Sequence, residues 1–515
     1  MFKSLKKNKL FLLTFLLITL LFKPLWIFNN SSLGIPADDM SYWLHSATIA
    51  FDQDLDYKND YKIESSIFHP ETNTPSHPPG AGYLASPFVY LFSQLDKLIE
   101  TSVNNTRTNP VKSFAYLGFF ISGLLYTYLG LKIISIVIRK YNNKYAGLLI
   151  FCGLISTLIH FVSTRFLMAH AAEFFLCSSL IYIYEKELSK KFNNNDITKL
   201  LLVYFCLAIT RPSTFLYSII LLLIYRNKFI YNFKTISISF FKISLFTTLY
   251  IILSRKLYQD NFMLMNTYGI ESGEYASSLN IEQFISGLLK LPNLFFSTNM
   301  GVVYSAPIIF LAFIVFFTKY LRDNLKTTDK LLLFFYFGAS SVPLLIWQGR
   351  EVAYGQRLLI GLIPVCILLT SKYLFNIRLA LFAKISTIFT YIGYLFFYSS
   401  ENLTLNPGIS LWGTKVGFTA ENYYIEVLKA FFNYETILSA SLRNIYFVDI
   451  FKLINLRDFI NNSSFFGNLN IQKVEKFLSF SDIYYNLDTS YLLVVNFAIF
   501  YFSYSLTKLI FSLNK

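Results

Sequence analysis

Two adjacent carboxylates, Asp38 and Asp39, stand in the stretch Gly34-Ile35-Pro36-Ala37-Asp38-Asp39-Met40-Ser41-Tyr42, shortly after an almost wholly apolar run from Leu10 to Phe28. Carboxylates at a membrane surface are costly to bury, so their position needs a reason. One reason is local: acids suit the first turn of a helix, and an amphipathic segment follows from Met40 to Phe51. The other is chemical: a carboxylate there can act as a general base on an attacking hydroxyl. Downstream come His69-Pro70-Glu71 and His77-Pro78-Pro79-Gly80, then Arg165, His170 and Glu173, then Arg211, and finally Tyr354-Gly355-Gln356-Arg357. Glu173 has His170 at i−3, so it is either a structural partner of His170 or Arg165, or a functional acid near the membrane surface. Arg357 and Arg211 either snorkel to an interface or grip a phosphate through the fixed fork of guanidinium donors.

These residues must be positioned by membrane helices. The chain has 515 residues, 54% of them hydrophobic and only 15% charged. A soluble domain carries about 25% charged residues. Apolar runs of about 18 to 25 residues recur along its whole length. The expected fold is an all-α polytopic membrane protein of about twelve helices. Spans are expected at 10–28, 113–138, 145–163, 167–184, 199–211, 213–225, 236–256, 301–318, 330–347, 358–371, 379–398 and 490–511. Residues 80–95 read as an interfacial or re-entrant stretch, and Pro212 separates the fifth and sixth spans. Domain boundaries follow: a transmembrane domain over 1–398 with a long first outward loop at 29–112, an outward segment or cap at 399–489, and a final helix and tail at 490–515.

Basic clusters fix the expected orientation. Lys3, Lys6, Lys7 and Lys9 place the N-terminus in the cytoplasm. Counting spans from there, Arg139-Lys140, Lys190-Lys191, Arg226 with Lys228, Lys319 with Arg322, and Lys372 all fall on the same side. The reactive candidates fall on the other: Asp38, Asp39, Tyr42, His69, His77, Arg165, His170, Glu173, Arg211, Gln356 and Arg357.

The net charge of +15 is therefore an orientation signal and no sign of nucleic acid. The four cysteines, Cys152, Cys177, Cys206 and Cys366, lie within apolar runs and read as core thiols. Asp52, Asp54 and Asp56 open like a calcium loop. However, Tyr57 and Ile63 stand where that loop needs Gly and Glu. The five histidines lack zinc-ligand spacing. No metal site is assigned; a divalent cation is neither required nor excluded.

Taken in order, these patterns resemble bacterial members of the C-type (GT-C) glycosyltransferase superfamily, in the branch of the protein O-mannosyltransferases and lipid A aminoarabinose transferases. The patterns are Asp38-Asp39 through Asp56, His77-Pro78-Pro79-Gly80, Arg165 to Glu173, Phe296-Ser297-Thr298-Asn299-Met300-Gly301 through Pro307, and Tyr354-Gly355-Gln356-Arg357 with Pro364. They span roughly residues 1–371. The resemblance implies a polyprenyl-phosphate-linked sugar donor, an acceptor hydroxyl on a glycan, lipid or protein, and inverting transfer on the non-cytoplasmic face of the plasma (inner) membrane. It implies Asp38, Asp39 and Glu173 as catalytic carboxylates, and Arg357, His77, Arg211 and Arg165 as donor-phosphate contacts. Tyr42, His69, His170 and Gln356 are the expected substrate contacts.

Two other classes share some of these features. A surface-polysaccharide polymerase or ligase is also polytopic, but relies more on outward arginines and histidine than on a first-loop acid pair. A transporter or lipid flippase needs ionisable groups near mid-membrane or inverted repeats, and the span centres here are nearly free of charge.

Overall fold

The computed structural model describes residues 37–58, 74–98, 113–189, 194–225, 233–260, 291–296, 301–322, 326–347, 356–373 and 377–402, and isolated positions at 110, 263, 285, 289 and 501. The expected spans at 10–28 and 490–511, His69, and the segment 399–489 beyond Asn402 lie outside the described residues. What is described is helical, with no strand among the described residues.

The chain enters on α1 (Ala37–Ala47), which carries Asp38 and Asp39 in its first turn, where the helix dipole favours acids. Trp43 anchors it, fully buried, with its ring 6.3 Å from those of Phe51 and Tyr116. A short π-turn, Thr48–Asp52, closes at Gln53, whose left-handed backbone lets its N–H reach Thr48 O. Helix α2 (Gly80–Leu98) follows the His77-Pro78-Pro79 turn. At 19 residues it is longer than the apolar stretch suggested, because Gln94, Asp96 and Lys97 continue the helix past the apolar run. Two glycines set its approach: a Cβ at Gly82 would lie 2.6 Å from the Tyr42 carbonyl, and one at Gly80 would collide with Thr210.

Helix α3 (Phe114–Ile138) is, among the described residues, the one helix long and apolar enough to cross a membrane alone. Its start is capped twice. Ser113 Oγ accepts from Tyr116 N at 3.1 Å, and Asp96 takes the Phe114 and Ala115 amides at 2.7 and 2.8 Å. The 145–163 run, expected as one span, is instead two helices, α4 (Ala146–Leu154) and α5 (Thr157–Ser163), bent by 59°. Ser156 restarts the chain there by accepting from Leu158 N and donating to Gly153 O. An apolar window cannot see such a break, since both halves are equally hydrophobic.

Helix α6 (His170–Leu188) then packs along α3. Helix α7 (Asn194–Thr210) ends at Arg211, and α8 (Pro212–Ser218) restarts with Pro212 in its first turn, where a missing N–H costs nothing. A 3₁₀ turn, Ile219–Tyr225, continues α8. The remaining helices are α9 (Phe233–Tyr258), the short α10 (Leu291–Phe296) and α11 (Val302–Ser305), α12 (Pro307–Arg322) and α13 (Thr327–Trp347). A second 3₁₀ turn, Arg357–Leu362, leads into α14 (Ile363–Tyr373), and α15 (Ile377–Asn402) follows. Large apolar side chains are exposed on α9, α13 and α15, among them Phe240, Phe241, Phe334 and Leu381. A helix bundle that leaves such rows outside fits a lipid surround.

Polar groups collect at the two ends of α6. At its C-terminal end, Lys372 Nζ lies 3.0 Å from Glu185 and 3.2 Å from Asp329. Each of those carboxylates also takes a tyrosine hydroxyl, Glu185 from Tyr141 at 2.5 Å and Asp329 from Tyr373. The N-terminal end holds the acids and arginines singled out from the sequence.

Candidate active site

The site is built where α1, the His77 turn, the start of α6, the break before α8 and the second 3₁₀ turn meet. Asp39 is fully buried. It accepts from Arg165 Nε at 3.1 Å and also from Arg165 Nη2, so Arg165, from the turn between α5 and α6, is bound to α1. Asp39 Oδ1 has no hydrogen-bond partner among the described residues. Burial raises the Asp39 pKa, and the Arg165 charge pulls against that rise.

Asp38, one residue away, has a different setting. Its side chain keeps 22% exposure, and three cationic or basic groups surround it: Arg357 Nη1 at 3.3 Å, His77 Nε2 at 3.7 Å and Arg165 Nη2 at 3.9 Å. Burial alone would push its pKa up, but His77, Arg357 and Arg165 together outweigh that and hold the carboxyl below the usual range. His77 is itself shifted down by burial, further by the arginines, against the pull of Asp38. At neutral pH the two guanidiniums therefore carry the stabilisation of the Asp38 charge.

His77 sits on a backbone held from three sides. Its N–H donates to Ser41 Oγ at 3.0 Å, and its carbonyl accepts from both His45 Nε2 at 2.7 Å and Tyr258 OH at 2.8 Å. Because a carbonyl only accepts, His45 carries its proton on Nε2, and Nδ1 is left to accept from Tyr57 OH at 2.6 Å. Burial pushes the His45 pKa down to about 3, so this tautomer persists at neutral pH. Thr74 donates to the Leu257 carbonyl at 2.7 Å, tying the same turn to the end of α9. The Tyr42 ring lies 5.2 Å from that of His77.

Glu173 forms the second layer. It is fully buried in the first turn of α6. Its Oε1 accepts from Thr214 at 2.5 Å, and Tyr217 donates to that threonine at 2.9 Å. Its Oε2 meets His170 Nδ1 at 3.0 Å and lies 3.6 Å from Arg211 Nε. The second 3₁₀ turn presses on it directly: a Cβ at Gly361 would come within 2.7 Å of Glu173 Oε1. His170 is buried against Phe161, and its Nε2 has no hydrogen-bond partner among the described residues.

The structure thus brings Asp38, Asp39, His77, Arg165 and Arg357 together, and groups Glu173, His170 and Arg211 behind them. Arg165 is bound to Asp39 and reaches toward Asp38, while Glu173 is bound to His170 and Thr214. Tyr42 and Gln356 are fully buried beside this cluster, and His69 lies outside the described residues. Ser41, His45, Tyr57, Tyr258, Thr214, Tyr217 and Gly361 were not singled out from the sequence. Only the i+4 spacing of Ser41 and His45 along α1 offered a local hint. Among the described residues no three His, Cys, Asp or Glu side chains lie together as a metal-binding set.

Among the described residues the chain is thus an all-helical bundle with one helix long and apolar enough to cross a membrane, and with paired acids and arginines gathered around the start of α6. The model of the Alg9-like mannosyltransferase family matches residues 61–268, which bears out the resemblance to C-type glycosyltransferases and supports a membrane glycosyltransferase. That stretch includes His77, Arg165, His170, Glu173 and Arg211, but stops short of Asp38, Asp39 and Arg357. No curated protein and no solved structure matches the chain.

Proposed function

We propose that the chain moves a sugar from a polyprenyl-phosphate-linked donor to an acceptor hydroxyl on the non-cytoplasmic face, with Asp38 as general base and inversion at the anomeric carbon. The observation that carries this reading is the contrast within the acid pair. Asp38 is partly open and flanked by Arg357 and His77, whereas Asp39 is closed in with Arg165.

The step balances simply. The acceptor O–H bond breaks, and its proton goes to Asp38. The acceptor oxygen bonds to the anomeric carbon as the bond from that carbon to the phosphate oxygen breaks. The electron pair leaves with the phosphate, which departs as polyprenyl phosphate. The phosphate needs no protonation, but its growing charge needs cations. Arg357 is the arginine placed to supply one at the open side, with His77 beside it. Arg165 and Asp39 fix α1 against the bundle and so aim Asp38. Glu173, tied to Thr214, His170 and Arg211, supports the turn that carries Arg357 and offers the sugar a buried polar floor. The N-terminus is assigned to the cytoplasm on the lysine distribution.

The test is mass spectrometry of surface glycans from the wild-type host, a deletion strain, and strains carrying Asp38→Asn or Asp39→Asn. Deletion is expected to remove one glycan feature, and Asp38→Asn to remove the same one. Retention of that feature at normal abundance in Asp38→Asn would falsify the assignment of the base.

A further inference from the structure

Arg357 and Asp38 are the more open pair in a cluster whose other arginines are enclosed. The Arg357 and Asp38 side chains keep 12% and 22% exposure, against 5% and 0% for Arg165 and Asp39. Arg165 is bound to Asp39 through two nitrogens, while Arg357 reaches Asp38 through Nη1 at 3.3 Å, a longer contact than an ideal charge-assisted bond. Asp38 is thus held from three directions: by Arg357 from the second 3₁₀ turn, by Arg165 from the turn before α6, and by His77 from the turn before α2. Asp39 lies on its own helix.

Building on the donor reading above, we propose that Asp38 holds Arg357 when no donor is present, and that the donor phosphate takes Arg357 from it, so that the base is released by the group that will leave. Two physical arguments meet here. First, the phosphate and Asp38 compete for one guanidinium fork at the mouth of the site. Second, transfer moves one negative charge from Asp38, which becomes a neutral acid, to the phosphate, which gains a charge. A cation within reach of both follows that charge with little displacement. The low pKa of Asp38 in the donor-free protein agrees with this arrangement: a carboxylate so stabilised is a weak base, and losing Arg357 to phosphate strengthens it.

The consequence is counterintuitive and measurable without knowing the sugar. Removing the charge of the proposed base should tighten binding of the lipid phosphate, and should do so only when Arg357 is present. The experiment measures binding of polyprenyl phosphate to the purified full chain in nanodiscs, by calorimetry or thermophoresis. The proteins are the wild type, Asp38→Asn, Arg357→Gln, the double variant, and Asp39→Asn. Size-exclusion profile and thermal unfolding confirm that each is folded. The expected result is roughly five-fold tighter binding for Asp38→Asn, the equivalent of about 1 kcal/mol for one partly open ion pair. Arg357→Gln should bind more weakly than wild type, with no added effect of Asp38→Asn in the double variant, and Asp39→Asn should not tighten binding.

Equal tightening by Asp38→Asn with and without Arg357 would mean simple repulsion between two anions, and would overturn the hand-over while leaving the donor reading standing. Unchanged or weaker binding by Asp38→Asn overturns it as well. Binding indifferent to Arg357→Gln would remove the donor phosphate from Arg357 altogether, and both readings would fall together.

Discussion

The two ends of α6 hold buried acids in two different ways. At the C-terminal end Glu185 and Asp329 share one lysine, and each takes a tyrosine hydroxyl. At the N-terminal end Asp38, Asp39 and Glu173 face three arginines and two histidines. Glu173 and Glu185 are twelve residues apart on one helix, about 18 Å at 1.5 Å per residue. Lysine acts as a point charge between the two carboxylates, whereas an arginine fork suits a second planar anion such as a carboxylate or phosphate. Buried charge alone therefore does not mark a reaction centre. What separates the two ends is donor geometry: one shared lysine with two tyrosine hydroxyls at the C-terminal end, arginine forks and histidines at the N-terminal end.

The most direct way to break this contrast is to neutralise one acid at each end. Asp38→Asn should lower the transfer rate by at least about 100-fold, the scale of a lost general base, while Glu185→Gln should leave the rate within about threefold of wild type. Both are measured as sugar transfer in membranes from the expressing host, and comparable losses for the two variants would end the distinction. The next largest effect is on stability. Lys372→Met leaves two buried carboxylates without their shared cation and should cost about 3 kcal/mol, seen as a lower thermal unfolding temperature with donor binding unchanged.

A smaller effect sharpens the picture of the N-terminal end. Tyr258→Phe removes one of the two donors to the His77 carbonyl. That change should cost about 1 kcal/mol and slow turnover several-fold with little change in donor KM. A selective rise in KM would argue that Tyr258 contacts the donor instead of holding the turn. The smallest effect is a pH slope. The His45 pKa is near 3 in the folded protein and about 6.5 unfolded, so between those values the unfolded chain binds more protons. This residue's contribution to stability is therefore full above pH 6.5 and falls as the pH drops toward 3. Thermal unfolding from pH 7 to pH 5 should show this, and His45→Gln, which keeps an N–H for the His77 carbonyl, should flatten the slope.

The grouping of several of these residues was foreseeable because apolar runs and lysine clusters are local signals that led to an expected sidedness. Apolar runs and lysine clusters placed Asp38, His77, Arg165 and Arg357 on one face, and the structure brings those residues within 4 Å of Asp38. The Arg211-Pro212 break was equally local, since Pro212 favours the first turn of a new helix over the interior of an old one. Pairing was not legible. Asp38 and Arg357 are 319 residues apart, and Arg165 and Asp39 are 126 apart, so no nearby residue announces either bond. Glu173 shows the same limit: its i−3 partner His170 was foreseeable, but Thr214 reaches it from across the bundle. The bend between α4 and α5 escaped because hydropathy reports burial and not direction.

One close approach has a further consequence. Gly361 lies against Glu173, and four residues earlier on the same turn stands Arg357. Glu173 and Arg357 are therefore coupled through one short turn. A methyl group at position 361 would come within 2.7 Å of Glu173 Oε1 and 2.9 Å of Thr214 Cγ2, so these side chains or the turn must shift to admit it. In the proposed reading, a substitution at Glu173 that shifts this turn would therefore be felt at Arg357 too, as altered binding of polyprenyl phosphate.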